Sequence, residues 1–413
     1  MTGLRSDIGL LRRRPVGLLF TARTISVLGT TFTPLALAFG VLNQPGAGPT
    51  DLSLALAAQA VPQVLLMLVG GVIADRWSRF QVLVTAETVA GAASAGMALV
   101  LLTGAGGLGL LCVLAVLSGA AGALFLPAFG GVVPEVVGPV DRQAVNGLLR
   151  FGTNLARIGG LTVAGATVAF VGPGWALVID SVSFFVSAVL LAGLQLPSTR
   201  SSGRNMWHDL RIGWHEFASR QWLWSVVTAA GVVNAAVGVT FGLVGPVVAN
   251  AHLGGALGWS VLLAAQALGL VTGVVLAIRI RPGRPVLVAV LSMSLMALTP
   301  LLLLVGAPLP LLALAAFAGG VALDVFGVLW ETTFQREVPA EALSRVNAYE
   351  WLGSLVLGPI ALFVAGPLVQ AYGTELVLFL AVAAIVLATV AATASPAVRA
   401  LRVPAGDGST ARV

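Results

Sequence analysis

The residues best placed to do chemistry are ionisable side chains inside long apolar stretches. Asp324 and Glu331 stand seven residues apart in one such stretch, and Arg157 and Glu87 lie in two others. In a helix, seven residues make about two turns, so the two carboxylates share a face roughly 10 Å apart. A charge at the centre of a bilayer costs on the order of 3 kcal/mol or more, which makes each of these a candidate functional group. A carboxylate that is alternately protonated and paired with a cation can bias one conformation over another. Asp324, Glu331, Arg157 and Glu87 are therefore the candidates for proton coupling. Arg157 and Asp324 fall near mid-depth of their stretches. Arg23 and Glu87 lie about two turns from one end of theirs, where a salt bridge between them is expected. Arg150 and Glu350 sit near helix ends and can snorkel, and Asp180 is expected to cap or pair with helix backbone.

Uncharged polar and aromatic residues in the same stretches could line a cavity. Gln59, Gln63, Asn154, Asn234 and Gln266 are the polar candidates, Arg23 the charged one, and Phe326 and Trp330 could stack against an aromatic compound. Enzyme chemistry has little to work with. The chain has no lysine, which removes both the phosphate-cradling Gly-Lys-Ser/Thr loop and Schiff-base chemistry. His208 and His215 are two turns apart, too far for easy chelation by one helix, and Cys112 has no intramolecular partner. No catalytic residue, metal site or cofactor is expected.

The elements that must position these residues follow from composition. Of 413 residues, 58% are apolar and only 9% charged, with a mean hydropathy of +1.00. A soluble domain carries about a quarter charged residues. So few charges cannot cover a globule of this length, which excludes soluble enzymes, nucleic-acid-binding domains and disordered scaffolds. The net charge of +6 comes from 22 arginines placed between apolar runs. A spanning helix needs roughly 20 apolar residues, and six such runs fall before residue 197 and six after residue 220. The fold expected is an all-α integral membrane protein of 12 transmembrane helices, built as two six-helix pseudo-symmetric bundles. Its parts are an N-terminal bundle (1–196), a cytoplasmic amphipathic linker (197–220), a C-terminal bundle (221–396) and a cytoplasmic tail (397–413). The loops near 43–51, 103–107, 172–174, 250–255, 307–310 and 372–374 contain no arginine. By the positive-inside rule, both termini and the linker are then cytoplasmic in a multi-pass protein of the inner (plasma) membrane.

The halves repeat. At one offset of 201 residues, Gly119, Phe125, Asn146, Gly152 and Val163-Ala164-Gly165 recur as Gly320, Phe326, Asn347, Gly353 and Val364-Ala365-Gly366. Parallel six-helix repeats imply one substrate site between the halves. In the linker, Trp207, Leu210, Trp214 and Phe217 form an apolar stripe, the pattern of a helix lying in the membrane interface.

Between the second and third spans the chain reads Gly71-Val72-Ile73-Ala74-Asp75-Arg76-Trp77-Ser78-Arg79. This resembles the cytoplasmic loop motif of the major facilitator superfamily. There it latches the outward-facing state, and the resemblance gives Gly71, Asp75, Arg76 and Arg79 that role. The equivalent stretch of the second half, Gly273 to Arg281, has Ala277 in place of the aspartate. Other segments are similar to the bacterial drug-exporter branch, which includes macrolide and siderophore exporters. They are Arg23 to Gly29, Phe125-Leu126-Pro127-Ala128, Asp209 to Trp214, and Pro339 to Asn347. Two departures stand out. Thr30 occupies a position where relatives often carry an acid. Gly160-Leu161-Thr162-Val163-Ala164-Gly165 lacks the proline of the antiporter motif Gly-Pro-x-x-Gly-Gly, and with it a bend.

The resulting expectation is a secondary transporter that exports a small amphipathic compound by proton antiport and alternating access. Its partners would be the small-molecule substrate, protons and the lipid bilayer, with no nucleic acid and a monomeric state. Uptake or facilitated diffusion by the same fold, and a non-transporting role as a scramblase or assembly partner, stay open. Spans rich in Ala, Gly, Val and Leu favour lipophilic cargo over a sugar.

Overall fold

The computed structural model describes residues 9–76, 78–130, 132–138, 141–194, 213–280, 282–339 and 342–402. Among these residues there is no β-strand. The long helices are α1 (Arg14–Leu42), α2 (Pro49–Arg76), α3 (Arg79–Thr103), α4 (Gly107–Gly130), α5 (Arg142–Phe170) and α6 (Pro173–Ala192). They continue with α7 (Gln221–His252), α8 (Gly255–Arg279), α9 (Pro285–Leu304) and α10 (Leu309–Glu337). A last helical stretch from Leu343 to Ala394 is divided at Gly373, whose φ of 85° suits glycine alone, into α11 (343–372) and α12 (374–394). Among the described residues, nine segments are long and apolar enough to cross a membrane, the last of them, Arg345–Ala394, containing both α11 and α12. Helices α2 and α5, 28 and 29 residues long, have the length to span as well. The protein is all-α, with the twelve membrane helices expected from the sequence.

Irregular turns inside the spans are locally satisfied, as a bilayer requires. Thr31 interrupts α1, and the hydroxyls of Thr30 and Thr31 donate to the carbonyls of Ser26 and Leu28 at 2.8 and 2.6 Å. In α7 a π-turn at Thr240–Val244 precedes Pro246, and in α9 a 3₁₀ turn at Met293–Ala297 precedes Pro300. Each absorbs the missing proline N–H by changing the hydrogen-bond register. Large apolar side chains such as Leu65, Phe151, Phe170 and Tyr372 are exposed.

The chain forms two compact units. The first comprises Met1–Gly203 with Pro246–Val261 and Leu362–Gln370; the second comprises Arg204–Gly245, Leu262–Ala361 and Ala371–Val413. In the first, Leu19, Leu83, Phe125, Val145, Leu149 and Leu191 bring α1, α3, α4, α5 and α6 into one core. In the second, Val226, Val290, Trp330, Phe334 and Val346 join α7, α9, α10 and α11.

Close helix approaches at glycines write the repeat into the packing. Gly119 of α4 lies on the backbone carbonyl of Gln59 in α2, and Gly320 of α10 lies on that of Gln266 in α8. Gly152 of α5 receives Phe20 and Thr24 of α1, while Gly353 of α11 receives Val227 of α7 and approaches Gly231. Gly165 of α5 seats Ser260 of α8, and Gly366 of α11 seats Ser53 of α2. The glycines pair at an offset of 201, and their partners on α1, α2, α7 and α8 pair at 207. A six-residue shortening between α8 and α10 is why the sequence repeat was visible for α4, α5, α10 and α11 alone. The positive-φ glycines before α6 and α12, Gly172 and Gly373, obey the 201 offset too.

Of the linker, residues 197–212 lie outside the described residues. Residues 213–218 form a short helix whose Phe217 is buried and whose Trp214 is exposed. Both rings pack on Tyr349 of α11, at centroid separations of 6.1 and 5.5 Å. This end of the linker is therefore packed against protein.

Candidate functional site

Helices α1, α3 and α6 each place two polar residues seven positions apart: Ser26 and Thr33, Glu87 and Ser94, Asp180 and Ser187. Two turns of helix separate such residues by about 10 Å on one face, so the six form two layers. In one, the Ser26 hydroxyl donates to Glu87 Oε1 at 2.9 Å, and Ser187 lies beside the same carboxyl. In the other, the hydroxyls of Thr33 and Ser94 both donate to Asp180 Oδ2, at 2.6 and 2.7 Å. All six side chains are buried. Glu87 Oε2, Asp180 Oδ1 and Ser187 Oγ have no hydrogen-bond partner. Asp180 thus meets side-chain hydroxyls and not the helix backbone. It stands seven residues into α6, beyond the first-turn N–H groups that a cap would satisfy.

The expected Arg23–Glu87 salt bridge is not formed: among the described residues no ion pair joins them. The Arg23 guanidinium lies over two stacked rings of α4, 5.1 Å from the centroid of Phe125 and 4.9 Å from that of Phe129. A desolvated guanidinium is attracted to such ring faces, and Glu87 already holds the Ser26 hydroxyl. Arg23 remains within electrostatic range of Glu87 and Arg157. Arg157 and Asn154 are exposed on α5.

In the second unit, Asp324 is half-buried on α10, its Cβ facing Gly273 of α8. Glu331 is exposed two turns further on and bonds Gln335 of its own helix. Phe326 and Trp330 stack at 6.0 Å with planes 10° apart, Trp222 meets Trp330 edge-on, and the Trp330 indole donates to Glu350 at 3.3 Å. Glu350, expected to snorkel, is instead tied to this aromatic cluster. Asn234 joins α7 to α11 by donating to the Ser354 carbonyl at 3.0 Å. Gln59 reaches Ser118 of α4 at 3.4 Å, Gln63 is exposed on α2, and Gln266 is half-buried on α8. Two parallel carboxyl and aromatic arrangements thus occupy the bundle helices, with no cluster of metal-ligating residues among the described residues.

The sequence of residues 19–349 matches the family model of the Major Facilitator Superfamily. The chain belongs to the major facilitator superfamily. It is a multi-pass membrane transporter and not an enzyme. It is 28% identical over 407 residues to the multidrug efflux pump Tap of Mycobacterium tuberculosis, covering 94% of this chain and 95% of that protein. It is 23% identical over 376 residues to the MFS-type transporter YvqJ of Bacillus subtilis, covering 88% and 87%. The fold is that of the nucleoside transporter NupG, with a TM-score of 0.74 at 14% identity over 91% of this chain and 99% of that one. It is shared too by a bacterial homologue of the iron transporter ferroportin, with a TM-score of 0.70 at 19% identity over 92% and 98%.

Of the superfamily loop motif, the side chains of Gly71, Asp75 and Arg76 lie outside the described residues. Arg79 begins α3 and pairs with Glu135, in the short helix Val133–Val136 after α4, at 3.0 Å. Ser78 caps α3 by accepting from the Gln81 N–H at 3.2 Å. Reading the sequence passed over Ser26, Thr33, Ser94 and Ser187, because isolated hydroxyls in membrane helices are common. Their shared spacing of seven with Glu87 and Asp180, in three spans at once, was the signal available.

Proposed function

We propose that this transporter exports a small amphipathic compound (a drug, antibiotic or natural product) from the cytoplasm in exchange for protons, by alternating access. The observation that carries this reading is the likeness to an efflux pump along nearly the full length of both chains. Aromatic pairs at Phe125–Phe129 and Phe326–Trp330 offer stacking surface for lipophilic cargo, with Arg23 and Glu350 as charged neighbours. Asp324, Glu87, Glu331 and Arg157 are the groups on which proton coupling would run. Gln59, Gln63, Asn154, Asn234 and Gln266 would contribute polar contacts. The loop Gly71, Asp75, Arg76 and Arg79 would act as the latch of one state.

With both termini in the cytoplasm of a plasma-membrane monomer, the start of α2 and the ends of α5 and α11 lie on the outer side. There Ser53 seats on Gly366 and Ser260 on Gly165, so these contacts are what opening to the outside must break. The test is accumulation of ethidium and a panel of antibiotics in an efflux-deficient host. Expression should lower accumulation, and an uncoupler should restore it. Raised accumulation on expression would reverse the direction of transport.

A further inference from the structure

We infer that the two layers between α1, α3 and α6 form a proton store in the first half, Glu87 and Asp180 each binding a proton and releasing it once per transport cycle. This rests on the proton-coupled reading above, and adds Asp180 and four hydroxyls to the groups that would carry it.

The geometry supports it in three ways. First, each carboxyl is buried with hydroxyl donors on one oxygen and none on the other. A buried ionised carboxylate needs most of its lone pairs met by donors or a cation, and one left half-solvated inside a membrane helix bundle is costly. A proton on the bare oxygen removes the charge and supplies a donor; beside Glu87 the Ser187 hydroxyl, itself without a partner, is there to receive it. Second, the charges that face the site are few. Arg23 of α1 acts on Glu87 from the Phe125–Phe129 platform, Arg157 of α5 acts on Arg23, and the two carboxyls act on each other. Movement of Arg23 toward Glu87 would replace the proton bound there by a cation, so the Glu87 layer can be emptied by one side chain. The exchange is simple: a carboxylate takes a proton from water to become a carboxylic acid, and returns it to water.

Third, the fold does not need three of these groups, although Thr33 has a buried counterpart in Thr240. At the repeat offsets, Ser26, Asp180 and Ser187 correspond to Val233, Ala381 and Ala388 of the second half. Val233 and Ala381 are buried there in an apolar cluster with Met293, Met296 and Ile385. The same three-helix junction is therefore packed without a polar atom at these positions. Burying the Asp180 carboxyl in the first half is an addition to the scaffold.

The test uses the full chain reconstituted in lipid vesicles, with Glu87→Gln, Asp180→Asn and the double variant, none of which changes side-chain shape. Difference infrared spectra across a pH step, read in the C=O stretch of protonated carboxyls, should lose intensity in each single variant and more in the double. With ethidium as the transport probe, proton influx coupled to ethidium exit should fall at least tenfold in Glu87→Gln, with thermal unfolding unchanged. Spectra identical to the unsubstituted protein in all three variants would overturn the inference. If the unsubstituted protein moves ethidium without any uncoupler effect while the variants still lose the carbonyl band, proton-driven export and release once per cycle both fail, and only proton binding at the two carboxyls stands. Should Asp180→Asn not insert, Ser187→Ala is the second variant: it removes the acceptor facing Glu87 and should shift the remaining band, whereas an unshifted band counts against the inference.

Discussion

Adding one methyl group at Gly165 should open the transporter toward the outside. A Cβ at this position would overlap both Cβ and Oγ of Ser260 on α8, with the Ala256 carbonyl 3.5 Å away. Because the serine Cβ itself is in the way, rotating its hydroxyl gives no relief, and the helices must part. Overpacking of this kind costs about 1–3 kcal/mol. The gain in helix propensity from Gly165→Ala, about 1 kcal/mol, applies with α5–α8 closed or open and cancels in their ratio. The closed arrangement should thus lose about 5- to 150-fold relative to the open one. A protein that begins about 99:1 closed would fall to between about 95% and about 40% closed. The reporter is a disulfide between Thr50→Cys and Gln370→Cys in a background lacking Cys112, since these two side chains are hydrogen-bonded in the same α2–α11 neighbourhood. Cross-linking yield under brief oxidation should drop with Gly165→Ala. Gly159→Ala on the same helix, where a Cβ would meet nothing within 4 Å, should leave it unchanged. Equal yields from the two variants would refute the idea that Gly165 and Ser260 hold this side shut.

Three further outcomes follow from the sidedness, latch and coupling assignments. Single cysteines at Gly48 and Gly106 should react with an impermeant thiol reagent in intact cells while one at Gly203 does not; the reverse pattern would invert the topology. Asp75→Ala should insert normally and slow the transport cycle by about fivefold, on loss of a latch contact of about 1 kcal/mol, and an unchanged rate at equal expression would reduce the loop to a positive-inside turn. Asp324→Asn should abolish uphill ethidium export while downhill exchange persists, and full uncoupler-sensitive export by that variant would remove Asp324 from the coupling machinery.

The architecture was legible because membrane physics constrains it so tightly. Runs of about 20 apolar residues in helices follow from a solvent that cannot hydrogen-bond the backbone, and the glycine-marked repeat from helices that touch at those positions. Side-chain partners were harder to read. Arg23 and Glu87 have the right depths for an ion pair, yet nothing in a linear sequence says that two phenylalanines on α4 present their faces to that guanidinium. Asp180 looked like a cap because a lone acid near a helix end usually is one. Its true partners, Thr33 and Ser94, are 147 and 86 residues away along the chain. Likewise Asn234, a cavity candidate by type, spends its amide on the Ser354 carbonyl.

The comparison of the two halves separates what the bundle needs from what the transporter adds. Glycine contacts that let helices touch are duplicated: Gly119 with Gly320, Gly152 with Gly353, Gly165 with Gly366. So is the aromatic pair one turn apart on α4 and α10, since Phe125 and Phe129 correspond to Phe326 and Trp330, and both pairs stack. The repeated glycine contacts are scaffold. What differs is the charge set upon it. The first-half pair carries the Arg23 cation on its faces, and Arg23 corresponds to Ala230 at the 207 offset. The second-half pair carries the Glu350 carboxylate on the Trp330 indole, and Glu350 corresponds to Leu149. Random drift from a common half would scatter polar residues over lipid-facing and core positions alike. Among the unmatched polar residues are Ser26, Asp180 and Ser187 at the buried junction of α1, α3 and α6, and the charges beside the two aromatic pairs, Arg23 and Glu350. The charges thus set the halves apart while the glycine contacts keep the bundles alike.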